Sequence, residues 1–166
     1  MLTQAWFKGL SKTITTNRSV KTLHRALTKR IAKNWHEIYL AVDLHDTVYE
    51  PTYCLNSLKT SSKHYPYSFE TLELLTMDPH VNLVLWTCSK PEDIVYYLGD
   101  MAKHRIKFNQ VGHNLKVVST DYADFNHKDY FDAIFDDKAG FEVEDWIYLN
   151  EYCLERRRRD YFIDDY

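Results

Sequence analysis

The stretch "YLAVDLHDTVYE", Tyr39–Glu50, drives a short apolar run into Asp43, with a second acid three positions on at Asp46 and Thr47 behind it. Ile38 to Val42 is rich in β-branched and aromatic residues and bounded by acids, which predicts a buried strand. An acid that closes a core strand needs a partner for its charge. The same grammar recurs downstream. Val81 to Trp86 is a second apolar run, closed by Thr87, and Asp132 to Phe135 is another, closed by Asp136 and Asp137. Leu115 to Val118 has the composition of a further strand between them.

Helical stripes separate these runs. Phe69, Leu72 and Leu75 recur at helix spacing within Ser68–Met77, and Ile94, Tyr97, Leu98 and Met101 do so after Ser89-Lys90-Pro91-Glu92. That tetrapeptide reads as a helix start, with Ser89 as N-cap, Pro91 in the first turn and Glu92 three residues after the cap. Trp146, Leu149 and Cys153 mark a last helix from Glu144 to about Arg158. Alternation of strands with helices implies an α/β domain with a mainly parallel sheet, whose chemistry gathers at the carboxyl ends of the strands.

The 166-residue chain is long enough for one domain with a sizeable core, and its 45% apolar and 15% aromatic content argues against disorder. No run approaches the roughly eighteen apolar residues of a membrane-spanning helix. Cys54, Cys88 and Cys153 are odd in number and widely spaced, which favours buried thiols in a reducing compartment over disulfides or a zinc site.

Charge is unevenly placed. Residues 1–36 hold eight basic side chains and no acid, leaving 13 basic residues against all 24 acidic ones in 37–166. This break separates a basic N-terminal helical extension, 1–36, from a domain at 37–166. Val20, Leu23, Leu27 and Ile31 give the extension an apolar stripe. The first reading is a helix packed on the domain with a solvated basic face. The others are a contact for nucleic acid or another acidic partner, and a targeting segment for organelle import; without import the expected location is the cytoplasm.

Taken in order, "VDLHDTV", "LVLWTCS" and "KDYFDAIFDDKAGF" resemble the four motifs of haloacid dehalogenase-like hydrolases, over roughly three fifths of the chain. The resemblance implies a Rossmann-like three-layer sandwich. It also implies a Mg²⁺-dependent phosphatase that works through an aspartyl-phosphate. Asp43 would be the nucleophile. Asp43, Asp136 and Asp137, with the backbone carbonyl at His45, would hold Mg²⁺, an ion that prefers oxygen ligands. Thr87 would hydrogen-bond a phosphate oxygen, and Lys128 would neutralise nucleophile and phosphate, with Lys138 and Lys116 as rivals. The helix opening near Ser89 would add a positive dipole end.

The family's phosphatases carry a second Asp two residues after the nucleophile, where this chain has His45 and places Asp46 one residue later. Three accounts follow, in order of preference: His45 replaces that acid–base group, Asp46 swings in, or the site binds phosphate and metal with poor turnover. Only 44 positions separate Asp43 from Thr87, room for a flap and a helix but no cap domain. A capless cleft would admit bulky phosphorylated substrates, a nucleotide first and a phosphorylated macromolecule next. Tyr49, Tyr53, Tyr65 and Tyr67 are candidates to line its mouth for base stacking, against plain packing of a surface flap. The rival from another class is a non-catalytic binding protein that uses its basic arm.

Overall fold

The computed structural model describes residues 10–51 and 63–163. Strand β1 (Ile38–Val42) is the spine of a four-stranded sheet, flanked by β2 (Val81–Leu85) and β4 (Ala133–Phe135), with β3 (Gln110–Val111) outside β2. Every pairing is parallel. β1 and β2 read as unbroken apolar runs because both faces of the sheet's centre are covered. The register sets Val42 opposite Leu85 on one side and Phe135 on the other.

Five helices accompany the sheet: α1 (Lys12–Thr16), α2 (Arg18–Ala32), α3 (Ser68–Thr76), α4 (Pro91–Lys103) and α5 (Asp145–Ile163). Leu40, Val42, Leu83, Leu85 and Phe135 join Leu23, Leu27, Leu72, Tyr97, Met101 and Trp146 in one buried cluster. α5 packs against both α2 and α3. The opposite sheet face is covered by the irregular segment 112–132. There Trp86 meets Phe131 edge to face at 5.2 Å, and the Gln110 amide donates to Asn82 and Asn114, both at 3.2 Å. Helices, sheet and coil thus form a Rossmann-like three-layer α/β sandwich.

The basic helix is part of this packing. Asn17 caps α2 by accepting from the Val20 amide at 2.9 Å, and Val20, Leu23, Ala26 and Leu27 are buried. Ile31 is half-buried, while Lys21, Arg25 and Lys29 point to solvent. The Asp145 carboxylate, at the start of α5, accepts from Asn17 Nδ2 at 2.6 Å and Ser19 Oγ at 2.5 Å. These bonds tie the first turn of α2 to the first turn of α5.

Three expectations are corrected. Leu115–Val118 is no strand: Leu115 and Val118 are 80% and 72% exposed. The Leu115 and Lys116 amides donate to the side chains of Gln110 and Asn114, not to a neighbouring strand. The third strand is the shorter β3, ended by Gly112 at φ +77°. Ser89 is not a helix cap, because Pro91 occupies the first helical position and Lys90 the cap, without a side-chain bond. Tyr49 lines no cleft mouth, since it is fully buried and its hydroxyl donates to Asp100 at 3.1 Å. Tyr65 packs on the core, Tyr67 is exposed, and Tyr53 lies outside the described residues.

If α2 is core and only its outer side is solvated, Leu23→Ala should lower unfolding free energy by about 2–5 kcal/mol, while Lys21→Ala should change it by less than about 0.5 kcal/mol. Urea unfolding of the two variants measures both.

Candidate active site

Two backbone bonds build the site. The Asp43 amide donates to the Phe135 carbonyl at 2.9 Å, and the Trp86 amide donates to the Val42 carbonyl at 2.9 Å. They carry the sheet register one residue past the strands, setting Asp43 beside Asp136 and next to the turn that holds Thr87. This is where the strand order reverses, with β2 and β3 on one side of β1 and β4 on the other; open α/β sheets bind ligands at such points.

One carboxylate oxygen from each of Asp43, Asp136 and Asp137 lies within 4.8 Å of the others, and all three residues are half-buried. Burial pushes the Asp43 carboxyl up to about 6, and the charges of Asp136 and Asp137 push the same way. A bond from the Leu44 amide and one from the Thr87 hydroxyl work against that rise. Asp136 also accepts from the Lys138 amide at 2.7 Å, capping the short 3₁₀ turn Asp137–Ala139. The Lys138 ammonium pairs with the Asp137 carboxylate and is otherwise well exposed. Lys128 is exposed on the irregular segment and forms no ion pair among the described residues. Its neighbour Asp129 binds His113 and the Asn114 amide. The ammonium that meets the acids is therefore that of Lys138.

The loop after β1 is tightly wound. The Leu44 carbonyl accepts from both the Val48 and Tyr49 amides at 2.8 Å, and Asp46 takes φ +56° while its amide donates to Tyr49 O at 3.0 Å. Thr47, fully buried, ties this loop to the acids. Its hydroxyl accepts from the Asp137 amide at 3.1 Å, and its carbonyl accepts from Trp146 Nε1 at 2.7 Å. His45 leans away from Asp46 toward α4. Its Nε2 lies 3.0 Å from the Tyr97 hydroxyl, and its Nδ1 lies 3.4 Å from Ser89 Oγ. Ser89 Oγ in turn lies 3.0 Å from Thr87 Oγ1, which also accepts the Ser89 amide at 3.2 Å.

Asp43, Thr87, His45, Asp136 and Asp137 are thus linked in one place. Thr47, Ser89 and Tyr97 belong to the same network but escape a reading of the sequence. Ser89 has the signature of a cap, and Tyr97 that of a helix-face core residue. For Thr47 a signal exists, since it follows the two acids directly.

Neither a family model nor a curated protein matches this chain. The fold has a relative among solved structures. A conserved protein from Bacteroides thetaiotaomicron aligns with a TM-score of 0.55 and 22% identity, over 72% of this chain and 92% of the other. At that identity the likeness is one of fold. No helix among the described residues is long and apolar enough to cross a membrane.

Three carboxylates this close, offset by a single exposed ammonium, suit a hard divalent cation with oxygen ligands. Without a cation the cluster should cost stability. Because the folded Asp43 carboxyl sits near 6 against an ordinary 3.8, the folded state holds its proton more tightly than the unfolded chain. Metal-free protein should therefore lose stability as pH rises from about 4 through 6, and Asp43→Asn should remove that slope. Thermal unfolding in chelator across this range reads the effect; equal slopes in both proteins would refute it.

Proposed function

We propose that this chain is a small, capless, haloacid dehalogenase-like phosphatase that hydrolyses phosphomonoesters through an aspartyl-phosphate on Asp43. The observation that carries the proposal is the gathering of Asp43, Thr87, Asp136 and Asp137 at the strand-order switch, from three motifs spread over 95 positions of sequence. Phosphoryl transfer asks a protein chiefly for positioning and charge stabilisation, and this arrangement offers both.

Asp43 Oδ attacks phosphorus, and the bond to the leaving oxygen breaks. Water then attacks the acyl-phosphate, returning the carboxylate and releasing inorganic phosphate. The Thr87 hydroxyl donates to a phosphate oxygen, and Lys138 supplies the cationic side chain nearest the acids. Lys128 keeps the second place for that role. Asp43, Asp136 and Asp137, with the His45 carbonyl, would hold Mg²⁺. When bound, the ion neutralises the phosphate and the carboxylates that would otherwise repel it.

His45 handles the proton on the leaving oxygen, with Asp46 as the alternative. His45 is favoured because its ring reaches the Thr87 end of the site through Ser89, whereas Asp46 sits in a left-handed turn bonded to Tyr49. The substrate we favour is a nucleotide, because no described element forms a cap over the strand ends and an open cleft accommodates a bulky ester.

Two experiments test this reading. A panel of nucleotides, sugar phosphates and an aryl phosphate should show turnover only with Mg²⁺, and Asp43→Asn should abolish it. Activity surviving Asp43→Asn would sink the mechanism, since an amide cannot form the acyl-phosphate. His45→Ala should cut kcat by about 10²-fold on alkyl phosphates and far less on an aryl phosphate, whose leaving group needs little protonation. Equal losses on the two substrate types would transfer the role away from His45.

A further inference from the structure

The site reading above rests on His45, and the hydrogen bonds around its ring decide which nitrogen carries the proton. A neutral imidazole has one N–H and one lone pair, and their assignment follows from the partners. The count starts at Thr87. Its hydroxyl has one hydrogen, and the neighbouring acceptor with full negative charge is the Asp43 carboxylate, or a phosphate oxygen when substrate is present. Charge-assisted bonds are the stronger ones, so that hydrogen goes to the anion.

Thr87 Oγ1 then meets Ser89 Oγ, 3.0 Å away, only as an acceptor, and Ser89 must donate. With its own hydrogen spent, Ser89 Oγ is an acceptor toward His45 Nδ1 at 3.4 Å, so Nδ1 carries the N–H. Nε2 is left with the lone pair, which accepts from the Tyr97 hydroxyl at 3.0 Å. Four bonds run in one direction, from Tyr97 through His45, Ser89 and Thr87 to Asp43. Tyr97 is 1% exposed, so water does not compete for its hydroxyl. Its ring also stands edge-on to the imidazole, with centroids 5.4 Å apart, which fixes the ring plane.

We propose that Tyr97 and Ser89 are positioning residues that hold neutral His45 as the Nδ1–H tautomer, with that N–H directed to the Thr87 end of the site. The leaving-group oxygen of a phosphoester bound there takes the place of Ser89 Oγ as the acceptor of the Nδ1–H bond. Tyr97 acts through His45 and never touches substrate. A two-residue step after Thr87 is what brings Ser89 to the ring, which explains why Ser89 does not cap α4.

The test has two arms. In metal-free protein labelled with ¹⁵N-histidine, at a pH where imidazole is neutral, His45 should show the Nδ1–H pattern, its resonance assigned by its loss in His45→Gln. Tyr97→Phe, which keeps the ring and removes the hydroxyl, should shift the pattern toward Nε2–H, and Ser89→Ala should do so in part. An Nε2–H ring in the wild type, or an unchanged pattern in Tyr97→Phe, overturns the proposal whether or not the protein is a phosphatase.

The second arm is kinetic. Tyr97→Phe should lower kcat about tenfold on an alkyl phosphate at unchanged KM, leave an aryl phosphate within about twofold, and add nothing to His45→Ala. Additive losses would overturn the proposal. A wild type inactive on every phosphate ester would instead remove the function proposed above, with the tautomer still deciding the hydrogen-bond chain.

Discussion

The register of β1 between its two neighbours is the constraint on which the site depends. Val42 pairs with Leu85 and Phe135, and the Asp43 amide extends the β4 ladder by one more bond. A slip of one residue would send every side chain of β1 to the other face, exposing Leu40 and Val42 and turning Asp43 away from Asp136. The apolar cluster that buries Leu40, Val42 and Phe135 is therefore also the device that aims the acids. Beyond the sheet, Thr47 continues this control. It takes the Asp137 amide on its hydroxyl and the Trp146 indole on its carbonyl, so the loop after β1, the acidic turn and α5 cannot move independently.

Against that packing stands an electrostatic cost. Three acids converge where water is partly excluded, and the chain offsets them sparingly: one amide and one hydroxyl on Asp43, a helical-turn amide on Asp136, one ammonium on Asp137. A fold selected for stability alone would place an apolar or amide side chain at one of these positions. The arrangement stores a repulsion that a divalent cation relieves, so binding of the ion and stability of the fold are coupled. The contrast with the ion pair of Arg156 and Asp78 is instructive. There a cation of α5 meets a single acid after α3, and the two mostly buried side chains match one for one.

Much of this was legible in the sequence because it depended on short-range pattern. β1, β2 and β4 are apolar runs each ended by a polar residue, and that termination is what marks Asp43, Thr87, Asp136 and Asp137. The failures share a cause. Leu115 and Val118 have strand composition, yet edge pairing went to Gln110–Val111, where the Gln110 amide could reach Asn82 and Asn114. Ser89 satisfies a local capping rule, but its hydroxyl is held by Thr87 and His45, the latter 44 positions away. Tyr97 obeys helix periodicity and is buried as expected; that its hydroxyl end meets a ring from the β1 loop is a fact of tertiary placement alone. Local rules describe what a residue can do. Which partner takes it is decided by the sheet.

The basic N-terminal helix is bound to the same logic. Its outer row, Lys21, Arg25 and Lys29, is exposed, but its first turn grips the segment that follows the acids. Asp145 accepts from Asn17, Ser19 and the Glu142 amide, and the Arg18 guanidinium stands so close to Gly140 that a Cβ there would lie 3.0 Å from Arg18 Nη1. Gly140 also takes φ +84° to close the turn begun at Asp137, a conformation that costs a side chain dearly. Removing the helix would thus strip Leu23 and Leu27 from the core and release the turn that carries Asp136 and Asp137. Binding by the basic face and chemistry at the acids cannot be separated by truncation. They can be separated by exchanging charges along the exposed row, since those side chains lie outside the buried cluster and leave the grip on Asp145 intact.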